Sequence, residues 1–282
     1  MTRPRIHKYV RRCELQDSSP KGPRLFPPLP DSVLNAFRIT LDSCQASGYY
    51  LNMFKTALPA KTPVKKAEVT ERKILDAALE MFRTKGFEET TMRDIAGAAG
   101  VATGAAYYYY PSKDAIVLGF YERSCVEMQP QIEEVLAPEA GGLEERLKTL
   151  INVKLEYFAP YRSVLRALLK NGADPAHPLS PFAENNKPIR SIDVAWFRKI
   201  LLDCGIRIPK DLEPHLPQVL WMFQMGVIYF WISDTLRRQQ RTARLLTLGA
   251  KIIATLLKIA GLPLTRPVRK VAIELIETVK NS

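Results

Sequence analysis

Cysteine and histidine are scarce in this sequence. Its 282 residues include four cysteines and three histidines, and no two of the cysteines form a C-x-x-C pair. Zinc clusters and disulfide frameworks need these residues at close, regular spacing. We therefore expect reduced thiols, as in a cytosolic protein, and neither a metal site nor a cofactor.

Long apolar runs are also missing. No stretch reaches the ~18–20 apolar residues that a membrane-spanning helix needs. The longest candidate, residues 219–232, is interrupted by Gln224 and is interpreted as a buried helix. The residues after Met1 show no apolar core like that of a secretory signal peptide. We therefore expect a cytoplasmic protein with no membrane partner.

Motifs typical of enzymes are absent as well. The sequence has no Gly-rich phosphate loop, no G-x-S-x-G and no H-E-x-x-H motif. His177 and His215 lie beside prolines and have no catalytic partner nearby in the sequence. Adjacent acids such as Glu133 and Glu134 point different ways on a helix and are typical of solvated faces. We therefore expect no enzymatic activity.

Basic residues are concentrated in the N-terminal segment. The net charge is +12, and residues 1–66 carry 12 Lys and Arg against 4 Asp and Glu, together with eight prolines. A segment of this composition, without sustained periodicity, is predicted to be disordered or loosely attached. Met53 is a candidate start codon, which leaves open whether residues 1–52 belong to the natural protein.

From Thr70 onward the apolar residues follow a helical period almost to the C-terminal end, with no strand alternation and no internal repeat. We therefore predict an all-α fold. Cap residues and helix breakers divide the first part into four helices. These are 71–85 between Thr70 and Gly86, a second from Thr91, a third over 103–110, and a fourth from Lys113 towards Leu136.

The second and third predicted helices have the spacing of a helix-turn-helix. A small residue must lie where the helices cross, a glycine must permit the turn, and an apolar residue must fill the gap. The predicted core of the motif comprises Ile95, Ala96, Gly100, Val101, Ala106 and Tyr110, with Tyr109 also assigned to packing. An ordinary pair of packed helices is the alternative on these features alone.

A wider set of residues favours the DNA-binding interpretation. The segments TERKILDAALEMFRTKGF (70–87), TTMRDIA (90–96) and GVATGAAYYYYPSK (100–113) resemble the N-terminal domain of the TetR family nearly position by position. The resemblance implies a three-helix DNA-binding head at residues 68–128. It also implies that a long helix joins this head to an all-helical, dimerising and ligand-sensing body at 129–282.

The resemblance further indicates which residues contact DNA. Thr91 and Lys113 are implied phosphate contacts, the start of the third helix is implied to approach the bases, and two tyrosines are implied to lie in or near the groove. The complete predicted set is Thr91, Arg93, Ala102, Thr103, Gly104, Ala105, Tyr107, Tyr108 and Lys113. Lys61, Lys65 and Lys66 form a candidate basic arm, with a solvated tail as the alternative.

Two departures from the family pattern affect how DNA is read. Ala102 stands where the family usually has a capping residue such as serine, which removes a cap worth roughly 0.5–2 kcal/mol. The exposed face of the third helix carries no Arg, Lys, Asn or Gln, the side chains that read guanine and adenine through paired hydrogen bonds. We therefore expect sparse base reading and more dependence on backbone contacts and DNA shape.

The body is predicted to consist of helices at about 143–158, 160–170, 188–204, 211–234, 241–260 and 265–280. The family resemblance implies that 211–234 and 241–260 pair with their copies in a homodimer. Charged groups near the aromatic residues are few, so a hydrophobic or aromatic effector is expected. The candidate pocket residues are Trp196, Trp221, Met222, Met225 and Tyr229, for each of which plain core packing is the alternative.

These features predict a homodimeric transcriptional repressor that binds double-stranded operator DNA and is released by a small hydrophobic effector. Repression rather than activation follows from the resemblance alone. The alternative function is a non-specific or architectural DNA-binding protein driven by the basic segment 1–66.

Overall fold

The structure is a computed structural model that describes residues 66–137, 139–172 and 174–280. Within these residues the regular secondary structure is helical throughout, with no strand, so the predicted all-α fold class is confirmed. The segment 1–66, predicted to be disordered, lies outside the described residues except for Lys66.

The helices of the described residues follow one another closely along the chain. They are α1 (Lys66–Thr84), α2 (Met92–Ala99), α3 (Thr103–Tyr109), α4 (Lys113–Glu127), α5 (Gln129–Leu136), α6 (Leu143–Phe158), α7 (Arg162–Gly172), α8 (Lys187–Asp203), α9 (Leu216–Ser233), α10 (Gln240–Ile259) and α11 (Arg266–Lys280). Short 3₁₀ turns precede four of them, at Ala159–Tyr161, Glu184–Asn186, Arg237–Gln239 and Pro263–Thr265.

The first helix is longer than its sequence signals predict. Thr70, the predicted N-cap, lies inside α1, where its hydroxyl donates to the carbonyl of Lys66 at 3.0 Å. A threonine that bonds back in this way is satisfied within a helix and does not need to begin one. The predicted stop is confirmed, because Gly86 follows α1 with a φ of +95°, a left-handed conformation that favours glycine.

The prediction of one helix from Lys113 towards Leu136 is wrong, because this segment forms two helices. The chain forms α4 and then α5, and Met128 lies between them. Pro130 lies in the first turn of α5, where a proline is tolerated because the first N–H groups of a helix have no partner. The same proline inside one continuous helix would remove a hydrogen bond and clash with the preceding turn.

The C-terminal half is built around packed pairs of helices. Helix α9 packs on α8, and α6 packs on α10. The bounds of α6 agree with the prediction, whereas the helix predicted at 211–234 begins only at Leu216. Residues 210–215 form turns that precede it, and Pro217 lies in the first turn of α9.

The core of the N-terminal helices continues into the C-terminal half. Val164 and Leu168 of α7, and Leu179 in the loop after it, belong to the same buried cluster as the apolar residues of α1–α4. The first helices are therefore connected to the rest of the molecule by packing on α7 as well as by the covalent continuation of α4.

None of the individual helices in the described ranges combines the length and apolarity needed to cross a membrane. The segments Arg237–Ile259 and Pro263–Thr278 satisfy that test only as a pair, and the chain bends by 113° between them.

Candidate nucleic-acid interface and cavity

The start of α2 is held by reciprocal hydrogen bonds. The backbone N–H of Asp94 donates to Thr91 Oγ1 at 3.2 Å, and the backbone N–H of Thr91 donates to Asp94 Oδ2 at 2.8 Å, so the predicted capping box is confirmed. Lys85 Nζ lies 2.6 Å from the same carboxylate oxygen, and this contact holds the pKa of Asp94 at about 2. The hydroxyl proton of Thr91 is also donated to Asp94, so it is not free for a phosphate.

The turn between α2 and α3 depends on Gly100. This residue has a φ of +66°, and its N–H donates to Gly97 O at 3.1 Å. The N–H of Val101 then donates to Ala96 O at 3.0 Å, which closes the turn. Around it, the residues predicted as the core of the motif are buried (Ile95, Ala96, Ala106, Tyr110), half-buried (Val101) or exposed (Gly100).

The outer face of α3 is uncharged and aromatic. Tyr108 is 82% exposed and Tyr107 is 52% exposed. Gly104 is also exposed, and a Cβ built there would meet no atom within 4 Å. Thr103 and Ala105 are half-buried, while the N-cap Ala102 is exposed and forms no side-chain cap. The predicted base-proximal residues therefore lie on one accessible surface, which we call the α3 surface (Ala102–Ala105, Tyr107 and Tyr108).

The ammonium group of Lys113, a predicted phosphate contact, is hydrogen-bonded within the protein. Its ammonium donates to the backbone carbonyl of Phe87 at 2.6 Å and to that of Glu88 at 3.0 Å, and it lies 4.7 Å from the centre of the Phe87 ring. These contacts attach the start of α4 to the loop between α1 and α2. Two of the three N–H donors of a lysine are thereby used within the protein. Arg93, in contrast, is exposed on α2.

Two acidic side chains lie at the junction of α1 and α4. Burial raises the pKa of the Glu122 carboxyl to about 7, and the nearby Glu71 carboxylate adds to the increase. Burial also raises the pKa of Glu71, and the Glu68 carboxylate adds to the increase, against the opposite effect of the Tyr110 hydroxyl. The junction of α1 and α4 therefore holds two carboxyl groups whose pKa values are raised by burial, and the charge of Glu71 further disfavours the ionisation of Glu122.

We expect this acidic pair to make stability depend on pH. The pKa of Glu122 is raised above its ordinary value of 4.5, so the folded protein binds this proton more tightly than the unfolded chain. The free energy of unfolding should fall by roughly 1–3 kcal/mol as the pH rises from about 4.5 to about 7. Above that range it should level off. Replacing Glu122→Gln should flatten the decline, as measured by urea unfolding across the pH range. The exposed Glu134→Gln on α5 is the control, and an equal decline in both variants would contradict the assignment.

A cavity of about 130 Å³ lies between α4, α6, α7, α8 and α9. Trp221, Met225 and Tyr229 line it, and these were predicted pocket residues. Most of the remaining lining is apolar and includes Tyr121, Phe158, Leu165, Leu168, Leu169, Ile189, Ile228 and Ile232.

Two predicted pocket residues do not line this cavity. Trp196 on α8 is buried in the core, where Lys154 Nζ lies 4.8 Å from the centre of its ring. Met222 is 42% exposed on the outside of α9. Aromatic or methionine content alone does not indicate which face of a helix turns towards a cavity, and both residues lie outside the lining of this one.

One side of the cavity is polar, which was not predicted from the sequence. Lys154 Nζ lies 2.5 Å from Asp193 Oδ1, and Gln224 Nε2 donates to Asp193 Oδ2 at 2.8 Å. Lys154 and Gln224 are buried, and all three residues line the cavity together with Arg190. A signal was available, because Lys154 lies on the same face of α6 as Leu147, Ile151 and Phe158. A lysine on an apolar stripe predicts a buried partner.

Two family models match the chain. Residues 74–119 match the model described as bacterial regulatory proteins of the tetR family. Residues 146–273 match the model of the tetracyclin repressor-like C-terminal domain. The first match covers the α2–α3 motif and the start of α4, and the second covers most of the C-terminal half.

Curated relatives match part of the chain at moderate identity. The HTH-type transcriptional regulator YerO of Bacillus subtilis is 30% identical over 108 residues, which are 37% of each chain. The regulator Rv0767c of Mycobacterium tuberculosis is 31% identical over 112 residues, or 40% of this chain and 52% of the relative. The repressor KstR2 of Rhodococcus jostii is 32% identical over 85 residues, or 29% and 40%. The chain thus spans about a third to a half of these relatives.

Solved structures show the same fold. A TetR transcriptional regulator from Nitrosomonas europaea is 18% identical with a TM-score of 0.51, and the match covers 66% of this chain and 98% of that one. Salmonella enterica GusR is 20% identical with a TM-score of 0.52, and the match covers 70% and 100%. The family models, the curated regulators and the shared fold agree, and the chain belongs to the TetR family of bacterial regulatory proteins.

Proposed function

We propose that this regulator is a homodimeric, cytoplasmic repressor that binds operator DNA through α2 and α3 and is released by a small effector. The observation that carries the proposal is the α3 surface. Its two tyrosines are large side chains left in solvent, with Tyr108 82% exposed on a helix that has no charged residue. Exposed apolar and aromatic groups gathered on one face are typical of a surface that a partner covers.

The α3 surface suits DNA reading of a particular kind. Thr103 and Ala105 offer contacts to thymine methyl groups, and the tyrosines offer hydroxyl donors to phosphates. Because Arg, Lys, Asn and Gln are missing from α3, strong reading of isolated G·C pairs is not expected. Specificity would come from backbone contacts and from the shape of the operator.

A stripe of exposed apolar residues on α10 supports a dimer. Its members, which we call the α10 stripe, are Leu245, Leu248, Ile252, Leu256 and Ile259. Their separations of three and four residues place all of them on one side of a helix, as in helices that pair along a seam. We propose that a second copy of this chain covers the stripe. A dimer would also place two α3 helices about 34–36 Å apart, one turn of DNA.

The cavity is the proposed effector site. Tyr121, Ser124 and Cys125 of α4 line it, as does Leu168 of α7. Leu168 also packs in the buried cluster of α1–α4. A ligand that displaces α4 or α7 would therefore alter the position of the DNA-binding motif. Release requires that the effector bind the displaced conformation more tightly, by about 1–3 kcal/mol for a typical coupled pair of sites.

Binding to selected DNA tests the proposal. The full chain would be mixed with sheared genomic DNA of its source and with the DNA upstream of its own gene, and bound fragments would be compared with random DNA by fluorescence anisotropy. We expect a preference of ~10³-fold or more for one or a few fragments. The preference should survive removal of residues 1–52 and should be lost in Tyr108→Ala.

Leu202→Ala, which shortens an exposed side chain on α8, is the matched control and should bind as the unmodified protein does. Equal binding to all DNA that disappears with residues 1–52 would overturn the proposal. That result would favour an architectural DNA-binding protein, because residues 1–66 carry 12 basic against 4 acidic residues.

A further inference from the structure

We propose that the cavity binds a neutral, mainly apolar molecule that carries N–H or O–H hydrogen-bond donors. The inference rests on the proposed function, which makes this cavity the effector site. Two amide oxygens among the lining residues carry it, Gln224 Oε1 and Asn186 Oδ1. Both are buried, and neither has a hydrogen-bond partner within the described residues.

The orientation of the Gln224 amide is determined by its neighbours. Its Nε2 donates to Asp193 Oδ2 at 2.8 Å, and Asp193 also binds Lys154. Turning the amide over would place its oxygen against the carboxylate, where two acceptors repel each other. The oxygen of Gln224 is therefore the atom left for a ligand, in a side chain that is wholly buried.

The Asn186 amide is determined in the same way. Its Nδ2 donates to the carbonyls of Pro178 and Ser180, each at 2.7 Å. Both amide hydrogens are thus used, and an inverted amide would oppose its oxygen to two carbonyls. The side chain closes the loop before α8, and its Oδ1 is a second buried acceptor, on a residue that lines the cavity.

The two unpaired amide oxygens determine which polar groups a ligand should carry. A buried polar atom that lacks a partner destabilises the protein, so a ligand that supplies the missing N–H or O–H group binds more tightly. A carboxylate, ether or ketone has no such hydrogen and would place a further acceptor against these oxygens. Lys154 and Arg190 already have partners within the protein, which removes the need for a charged ligand.

The rest of the lining and the size of the cavity limit the ligand further. Leu165, Leu169, Trp221 and Ile228 provide an apolar surface. The volume is about 130 Å³. An engineered apolar cavity of about 150 Å³ in another protein holds benzene. The ligand class is therefore a small aromatic or aliphatic molecule with hydroxyl, amine or amide hydrogens.

Probes that share one ring test this inference. Phenol and aniline carry donors, anisole carries only an acceptor, and toluene has no polar group. Binding to the full chain would be measured by calorimetry and by the rise in melting temperature. We expect phenol and aniline to bind at least about tenfold more tightly than anisole and toluene. Equal affinities for the four probes, or no binding by any of them, would overturn the inference.

Variants locate the effect in the cavity. Gln224→Met should reduce the preference for phenol over toluene, because one of the two acceptors is removed, and should leave toluene binding in place. Gln129→Met is the matched control, because Gln129 is also buried but does not line the cavity. A preference for donors that is undiminished in Gln224→Met would contradict the assignment to this residue, provided that its circular dichroism matches that of the control.

Operator release is measured separately with the same probes. Donor preference together with release of bound DNA supports both the ligand class and the repressor. Release by a probe without donor preference would overturn the ligand class and leave the proposed function intact. Donor preference without release would leave the ligand class in place and count against the cavity as the effector site.

Discussion

Replacing Ile252→Asp is expected to convert the protein from a dimer to a monomer. Ile252 lies in the middle of the α10 stripe and is 57% exposed in the single chain. At a dimer seam its side chain would meet the apolar residues of the other copy, and a carboxylate buried there without a partner would cost several kcal/mol. The same change should leave the fold of each chain intact, because the side chain is not part of the core.

Loss of the dimer should also weaken operator binding. Specific binding typically exceeds non-specific binding by about 4–10 kcal/mol, so loss of one of two half-sites lowers operator affinity by about 100-fold or more. Light scattering after size-exclusion chromatography measures the mass, and fluorescence anisotropy measures the DNA affinity. Thr247→Asp, on another side of α10 and also exposed, adds the same charge and should remain dimeric. A monomeric unmodified protein, or a dimeric Ile252→Asp variant, would contradict the proposed interface.

The second large effect is expected from Gly104→Leu. Gly104 is exposed in the first turn of α3, and a Cβ placed there meets no atom within 4 Å. Leucine is a better helix former than glycine by up to about 1 kcal/mol, so the isolated protein should be as stable or more stable. The added side chain would stand between α3 and the base edges. Operator affinity should therefore fall by about 100-fold while the melting temperature stays level or rises.

Gly97→Leu provides a matched control in the same motif. Gly97 on α2 is also exposed, and a Cβ there also meets nothing within 4 Å. Both variants gain the same helix propensity, so only the position relative to the α3 surface differs. Equal operator affinity in the two variants, or a loss of affinity in Gly97→Leu alone, would show that the α3 surface does not contact DNA.

The DNA-binding motif was predictable because its determinants are local. Thr91 and Asp94 are three residues apart, Gly100 follows Ala96 by four, and each pair acts through backbone bonds within one or two turns. Spacing of this kind is visible in a sequence without knowledge of distant contacts. Pro130 marks the break between α4 and α5 in the sequence, because a proline usually ends or kinks a helix, but the predicted helix from Lys113 towards Leu136 ran across it.

Contacts between distant segments were not predictable in this way. Lys113 binds the carbonyl of Phe87, 26 residues earlier, and Gln224 binds Asp193, 31 residues earlier. No local pattern specifies which of several packed helices a lysine or glutamine will meet. Trp196 and Met222 show the same difficulty. Whether either residue lines the cavity depends on which face of its helix points towards the cavity, and the local sequence does not specify this.

The position of Leu168 affects how the ligand specificity of such a regulator can evolve. Its side chain lines the cavity and also packs in the cluster that supports α1–α4. In the proposed mechanism, a substitution there that admits a new ligand would also change the packing beneath the DNA-binding motif, so ligand choice and operator occupancy would shift in one step. Leu169 and Ile228 line the cavity without belonging to that cluster. Adaptation to new ligands should therefore accumulate at these two positions, while Leu168 stays under the double constraint.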